Sequence, residues 1–271
     1  MPESAVFGAD IGEVLSVGLT DAKGDVLVIN PSRRMTRRLV NQLGETDGSS
    51  VRLFADGRVL KDLTEDFLVA SEIADLVEHD LLSVRTLGNV PRHSLLLAES
   101  FLLSLVESEK RAAGLVTTTD QFVADANAEY DRRWDEAEPF TLRTPALSRV
   151  RETLEVDISP AAARDFDAML GALETARGNG AGLDEVEIAL LVAANNGELL
   201  YDISRWGEDV SLASKATFSR SKNRLEDSGL LDTEKVPIDV GRPRLRLQLG
   251  SVAPESAPPA EILAVAQQKL S

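Results

Sequence analysis

One change in hydrophobic period divides this chain, and no other feature of the sequence restricts its fold as much. In the first half, short continuous apolar runs that suit buried strands alternate with runs whose apolar residues recur at helical spacing. "GDVLVIN" (Gly24 to Asn30) reads as a buried strand. "PSRRMTRRLVNQLG" reads as the helix after it, with Pro31 at its start, Met35, Leu39 and Leu43 on one face, and Gly44 as a stop. "SSVRLFAD" and "TEDFLVASEIADLVEHD" repeat the pair, the helix turning Phe67, Ile73, Leu76 and Val77 inward. From Leu82 to Val116, "LLSVRTLG", "RHSLLLAES", "FLLSLVES" and "AAGLVTTTD" are separated by turn-prone residues and predict strands in succession. A helix beginning near Thr119 or Asp120 follows, with Phe122, Val123, Ala126, Tyr130 and Trp134 at helical intervals. Together these predict an α/β domain with a mixed sheet over residues 1–145.

The second half has only helical spacing until after Gly229. Residues 146–182 read as a linker and connecting helix, with Ser159 as N-cap, Pro160 at the first helical position, and Phe166, Met169, Leu170 and Leu173 on one face before the break "RGNGAG". Residues 183–250 start with "LDEVEIALLVAANNG", in which Asp184 and Glu187 have capping-box spacing and Asn196-Gly197 marks a stop. "ELLYDISRWGED" adds a short helix. Residues 251–271 form a Pro-rich spacer and a short apolar-biased helix, which either docks on the body or on a partner chain or frays.

Acidic residues outnumber basic ones 45 to 29, the net charge is -16, and the basic set holds 22 Arg against 7 Lys. A dense carboxylate surface keeps a protein soluble where charges are heavily screened, so the balance suggests a high-salt cytoplasm; an ordinary acidic cytosolic protein has the same signs. With no Cys, disulfides, thiolate metal sites and Cys nucleophiles are excluded. The two His, His79 and His93, have neither an HExxH partner nor a GxSxG context nearby, and no GK[ST] follows "RGNGAG". The sequence therefore implies no enzyme, metal or cofactor. No run reaches the roughly 18 apolar residues of a membrane span, and "MPESAVFGADIGE" lacks a signal's basic flank, so a cytoplasmic protein without a membrane partner is expected.

Against that acidic background, Ser211 to Arg224 carries Lys215, Arg220, Lys222 and Arg224 and no acid. Written as a helix, "SKATFSRSKNRLEDSGLL" puts Phe218 and Leu225 on a packing face, with Ala216, Ser219, Arg220 and Asn223 opposite, flanked by Thr217 and Arg224. Small residues allow close approach to a DNA groove, Arg and Asn make bidentate contacts to guanine and adenine, and Ser and Thr reach phosphates. In the hairpin-like run that follows, Arg244 and Arg246 alternate with Leu245, Leu247 and Leu249, and Arg242 sits next to the turn. Two helices, a basic helix and a basic hairpin are the order of a winged helix-turn-helix. The expected DNA contacts are Lys215, Ala216, Thr217, Ser219, Arg220, Asn223, Arg224, Arg242, Arg244 and Arg246. Lys222 departs from the pattern at a position where such helices carry an apolar residue, which implies a rotated helix or an ammonium that snorkels outward. A winged helix that binds proteins rather than DNA, its Arg residues solvated or salt-bridged, is the alternative.

Through "GDVLVINPSRRMTRRLV", "GLVTTTDQFVADANAEYDRRWDEAEPFTLRTP" and "SRSKNRLEDSGLL", the chain resembles the haloarchaeal TbsP family of transcriptional regulators over most of its length. That resemblance implies an N-terminal α/β domain, a C-terminal winged helix, and control of central carbon metabolism genes, including a glyceraldehyde-3-phosphate dehydrogenase gene, beside the sugar-responsive regulator TrmB. The first half also resembles the phospholipase-D-like sensor domain fused to TrmB-type winged helices. The His-x-Lys signature of that superfamily is missing, since His79 is followed by Asp80-Leu81 and His93 by Ser94-Leu95, which implies a ligand or dimer module. Arg33, Arg34, Arg37 and Arg38 crowd a helix start that favours anions, and Thr117, Thr118, Thr119 and Asp120 lie at a strand-to-helix junction; the alternative is that the arginines are a solvated face balancing acids and the threonines simply cap a helix. A phosphorylated sugar near these clusters, a homodimer and double-stranded promoter DNA complete the expectation.

Overall fold

The structure, a computed structural model, describes residues 4–45, 50–173, 183–237, 243–253 and 257–270. The chain divides into two compact units: Met1–Thr64 with Glu72–Leu142, and Glu65–Ser71 with Arg143–Ser271.

The first unit is built on a seven-stranded mixed sheet. Its strands are β1 (Ala5–Gly8), β2 (Val26–Ile29), β3 (Val51–Asp56), β4 (Leu82–Leu87), β5 (Ser94–Leu97), β6 (Leu102–Glu107) and β7 (Ala112–Thr117), in the order β1-β7-β6-β5-β2-β3-β4. β2, β3 and β4 are parallel, and every other pairing is antiparallel. All four residues of β2 are buried, as a central strand covered on both faces requires. The four apolar runs after Leu82 are four strands.

Two helices were not visible in the hydrophobic pattern. α1 (Ile11–Asp21) is capped by Asp10, whose Oδ1 accepts from the Gly12 and Glu13 amides, and it packs on β1, β6 and β7. α3 (Gly57–Leu63), capped by Asp56, is the second, and the run from Thr64 to Asp80 expected as a helix after β3 is α4 (Phe67–Glu78). α2 (Arg33–Glu45) starts two residues after Pro31, because Ser32 caps it by accepting from the Met35 amide at 3.1 Å. Gly44 lies inside α2 rather than stopping it. Val77, expected to point inward, is exposed, and so is Phe122. α5 (Asp120–Asp135) covers the opposite sheet face through Tyr130 and Trp134, packed with Leu27, Ile29, Phe54, Leu97 and Leu102. Trp134 meets Phe54 edge-on at 5.6 Å between ring centroids.

The second unit contains α6 (Leu147–Asp157), α7 (Pro160–Gly171), α8 (Glu185–Asn195), α9 (Leu200–Asp209), α10 (Lys215–Asp227), the hairpin β8 (Leu231–Val236) and β9 (Arg244–Leu249), and α11 (Pro259–Leu270). Where a linker was expected from residue 146, α6 and α7 contribute Val150, Leu154, Phe166 and Met169 to the same core as α8, α9 and α10. These four side chains are fully buried, each worth roughly 1.5–3 kcal/mol against exposure, so the segment folds with the domain rather than tethering it. "RGNGAG" lies outside the described residues. Ser159 caps α7 with Pro160 at the first position, as the sequence indicated. The C-terminal helix α11 docks on α7 and α8 of its own unit through Ile262, Leu263 and Ala266.

Candidate nucleic-acid interface

α8 supplies the platform. Asp184 Oδ1 accepts from the Glu187 amide at 2.7 Å and Glu187 Oε2 accepts from the Asp184 amide at 3.2 Å, which completes the capping box read from the sequence. Asn196 and Gly197 end the helix, Gly197 at φ +66. α9 then crosses to α10. At their closest approach the ring of Phe218 lies on Gly207, where an added Cβ would overlap two ring carbons, so glycine is what lets the two helices pack. The Trp206 indole N–H on α9 donates to Thr153 Oγ1 on α6 at 3.0 Å, which satisfies its donor inside the core.

Ser214 caps α10 by accepting from the Thr217 amide at 3.2 Å. Phe218 and Leu225 are fully buried, and Ala216, Ser219, Arg220 and Asn223 are exposed on the far side. Lys222 neither rotates the helix nor snorkels to water. Only 9% exposed, it lies between the two apolar anchors and donates from Nζ to Glu226 Oε2 at 2.6 Å, one turn along. Glu226 Oε1 in turn accepts from Thr233 Oγ1 on β8 at 2.9 Å. A cation at an apolar position is thus tolerated because its partner is on the same helix.

The other cations are sorted by similar pairs. Lys215 Nζ lies 2.6 Å from Glu208 Oε2 on α9, which holds the Glu208 carboxyl below the usual range. Arg224 Nη1 donates at 2.9 Å to Glu187 Oε1, and Glu187 is only 1% exposed. Burial pushes the Glu187 carboxyl up, and Arg224 opposes that rise. Arg220 Nη2 donates only to Thr217 Oγ1, at 3.3 Å, so its charge faces outward without an acid among the described residues.

β8 and β9 form the wing. The Leu247 amide donates to the Glu198 carbonyl at 2.9 Å, and Leu199 bridges Arg246, which ties the hairpin to the turn before α9. Leu247 is buried, and Arg244 and Arg246 lie on the other face. Arg244 sits 4.2 Å from the Tyr201 ring centroid and 3.5 Å from Asp202 Oδ1. Arg246 is exposed and stands opposite Glu234 in the register of the hairpin. Arg242 lies outside the described residues. Acids on β8 make this face less basic than the arginine spacing alone suggested. A groove between the wing and α10 is lined by Tyr201, Ser204, Lys215, Ser219 and Arg244. Tyr201 was missed, because one exposed aromatic at the start of a short helix leaves no periodic signal.

The two anion-site candidates occupy two places. Arg33, Arg34, Arg37, Arg38 and Asn41 line a groove on α2. Arg33 pairs with Asp62 at 2.8 Å, Arg34 with Glu107 at 3.8 Å and Arg38 with Asp10 at 3.0 Å. Thr117 pairs with Leu102, Leu102 with Leu97 and Leu97 with Leu27, at the beginning of β2, whereas α2 follows the end of β2. Thr117, Thr118, Thr119 and Asp120 therefore lie at the opposite end of the strands from the arginines. Thr119 takes the N-cap position of α5 without a side-chain cap bond. Among the described residues, no cluster of three or more His, Asp or Glu has the geometry to hold a metal, and no helix is long and apolar enough to cross a membrane.

Residues 3–145 match the family model of the N-terminal domain of TbsP-like transcriptional regulators, and residues 146–267 match that of their C-terminal helix-turn-helix domain. No curated protein matches the chain. Among solved structures, a phospholipase D family member, Nuc from Salmonella typhimurium, aligns with 51% of this chain and 97% of its own at 14% identity, with a TM-score of 0.35. With both halves matched and the helix-turn-helix geometry in place, the chain belongs to the TbsP-like family of transcriptional regulators.

Proposed function

We propose that this regulator reads double-stranded promoter DNA as a cytoplasmic homodimer, with α10 in the major groove and the wing beside it, and controls genes of central carbon metabolism in response to a phosphorylated sugar. The observation that carries the DNA reading is the exposed stripe Ala216, Ser219, Arg220 and Asn223, backed by the buried Phe218 and Leu225. Ala216 and Ser219 permit close approach, Arg220 suits a guanine edge and Asn223 an adenine edge. Ser214 and Thr217, at the helix N-terminus, face the phosphates. Arg246 reaches the backbone from the wing. Lys215, Arg224 and Arg244 hold the frame through their carboxylates rather than reading bases.

Counterion release weakens steeply with salt, so a binder in a high-salt cytoplasm depends more on base contacts than on a wide basic surface. One outward arginine amid paired cations fits that demand. The arginine groove of α2 suits a phosphorylated sugar, whose phosphate would compete with Asp62, Glu107 and Asp10. The paired cations are also what the protein-binding alternative would show. Selection of bound duplexes from a random DNA pool at molar salt separates the two readings. DNA reading requires one enriched motif, and an adaptor enriches none. Calorimetric titration with sugar phosphates tests the sensor, and heat no greater than dilution would remove it.

A further inference from the structure

The sheet of the first unit is covered unequally. α1 covers one face of β1, β7 and β6, and its packing is tight enough that a Cβ at Gly114 would crowd Val14. On the other face, α5 covers Leu27, Ile29, Leu97 and Leu102 and leaves the edge of the sheet open. The strand registers align two rows across that open edge: Phe7 with Ala113 and Val106, and Ala5 with Leu115 and Ser104. Phe7 is 76% exposed, Leu115 52% and Val106 50%, and none of the six residues is charged. In a chain of net charge -16, an uncharged apolar face that ends at a sheet edge is exceptional.

We propose that this face of β1, β7 and β6 is the dimer interface, occupied by the same face of a second copy. Two observations favour a copy over a foreign protein. The patch has no charge with which to select a partner of opposite sign, and two acidic copies can approach through it without opposing carboxylates. In addition, α10 offers one outward arginine and one asparagine for base edges, each bidentate contact being worth about 1–3 kcal/mol, so a second recognition helix is needed for a specific site. Only another copy of this chain brings one. Two such faces stack as sheets do, roughly 10 Å apart, with Phe7 near the two-fold axis.

The inference rests on the DNA-reading proposal for its choice of occupant, and the experiment separates the two. The mass of the full chain is measured by sedimentation at high salt for wild type, Phe7→Glu/Leu115→Glu, Phe7→Ser/Leu115→Ser, Val156→Glu and Arg220→Ala. Val156, on α6, is 77% exposed and serves as a surface control. Wild type, Val156→Glu and Arg220→Ala should sediment as dimers, and the two patch variants should show half that mass with unchanged circular dichroism. Because the chain has no cysteine, Phe7→Cys adds a single thiol, and a short bis-maleimide should join two such chains but not two Val156→Cys chains. A monomeric wild type, a dimeric serine patch variant, or equal cross-linking at both positions overturns the interface. Loss of DNA binding by Arg220→Ala with the dimer intact concerns the reading alone.

Discussion

Two helices carry most of the clustered arginine and lysine in this acidic protein, and they use it differently. On α10, pairs with Glu208, Glu226 and Glu187 lock Lys215, Lys222 and Arg224 into the small domain and leave Arg220 outward. On α2, Arg33, Arg34 and Arg38 reach three separate elements, α3, β6 and the cap of α1. The first arrangement fixes the exposed face of α10 in place before any ligand arrives. In the second, carboxylates occupy positions an anion would take, so a ligand there must displace existing pairs. A basic cluster in a sequence is therefore a statement about composition, and the location of its carboxylates decides its use.

The largest effect that would break this comparison is loss of the platform itself. Phe218→Ala removes a fully buried ring packed on Gly207 and should cost about 3–5 kcal/mol in urea unfolding. A loss under 1 kcal/mol would mean that α10 is not held as described. Next comes Arg224→Ala, which leaves the buried Glu187 carboxylate without its partner. Because Arg224 is 44% exposed on its side chain, the expected cost is discounted to about 2 kcal/mol at neutral pH. A base-reading arginine would instead leave the melt unchanged.

Glu185, at the same end of α8, gives a pH signature. Burial, reinforced by the charges of Asp184 and Glu187, pushes its carboxyl up to about 7 from 4.5. A carboxyl that holds its proton more tightly when folded contributes stability fully present below the unfolded value and lost as pH rises through about 7. Glu185→Gln should therefore match wild type near pH 4 and exceed it by up to about 3 kcal/mol at pH 8, measured by denaturant melts at both. On α2, Arg34→Ala should shift stability by under about 0.5 kcal/mol, because its pair is long and exposed. A loss several times larger would make the α2 arginines structural like those of α10.

The winged helix was legible because its signals are local. The Asp184–Glu187 capping box, the Ser159-Pro160 start and the seven-residue spacing of Phe218 and Leu225 each depend on neighbours within two turns. The four strands after Leu82 were legible for the same reason. α1 was missed because "ADIGEVLSVGLTD" opens behind a four-residue strand and contains two glycines, which hide its period. The role of Lys222 was not legible, since it depends on Glu226 and, through that residue, on Thr233 beyond the helix. The division of the basic residues into paired and outward ones depends on contacts such as Arg224 to Glu187, 37 positions apart. Sequence spacing does not encode such contacts.

The most direct test of the account sets Arg220→Ala beside Arg224→Ala on the selected operator and on a scrambled duplex at one fixed salt concentration. Arg220→Ala should lose roughly 10- to 100-fold of the preference for the operator while keeping wild-type stability. Arg224→Ala should lose stability and, once folded under stabilising conditions, keep the preference. Unchanged operator preference in Arg220→Ala would contradict the claim that the outward face of α10 reads DNA.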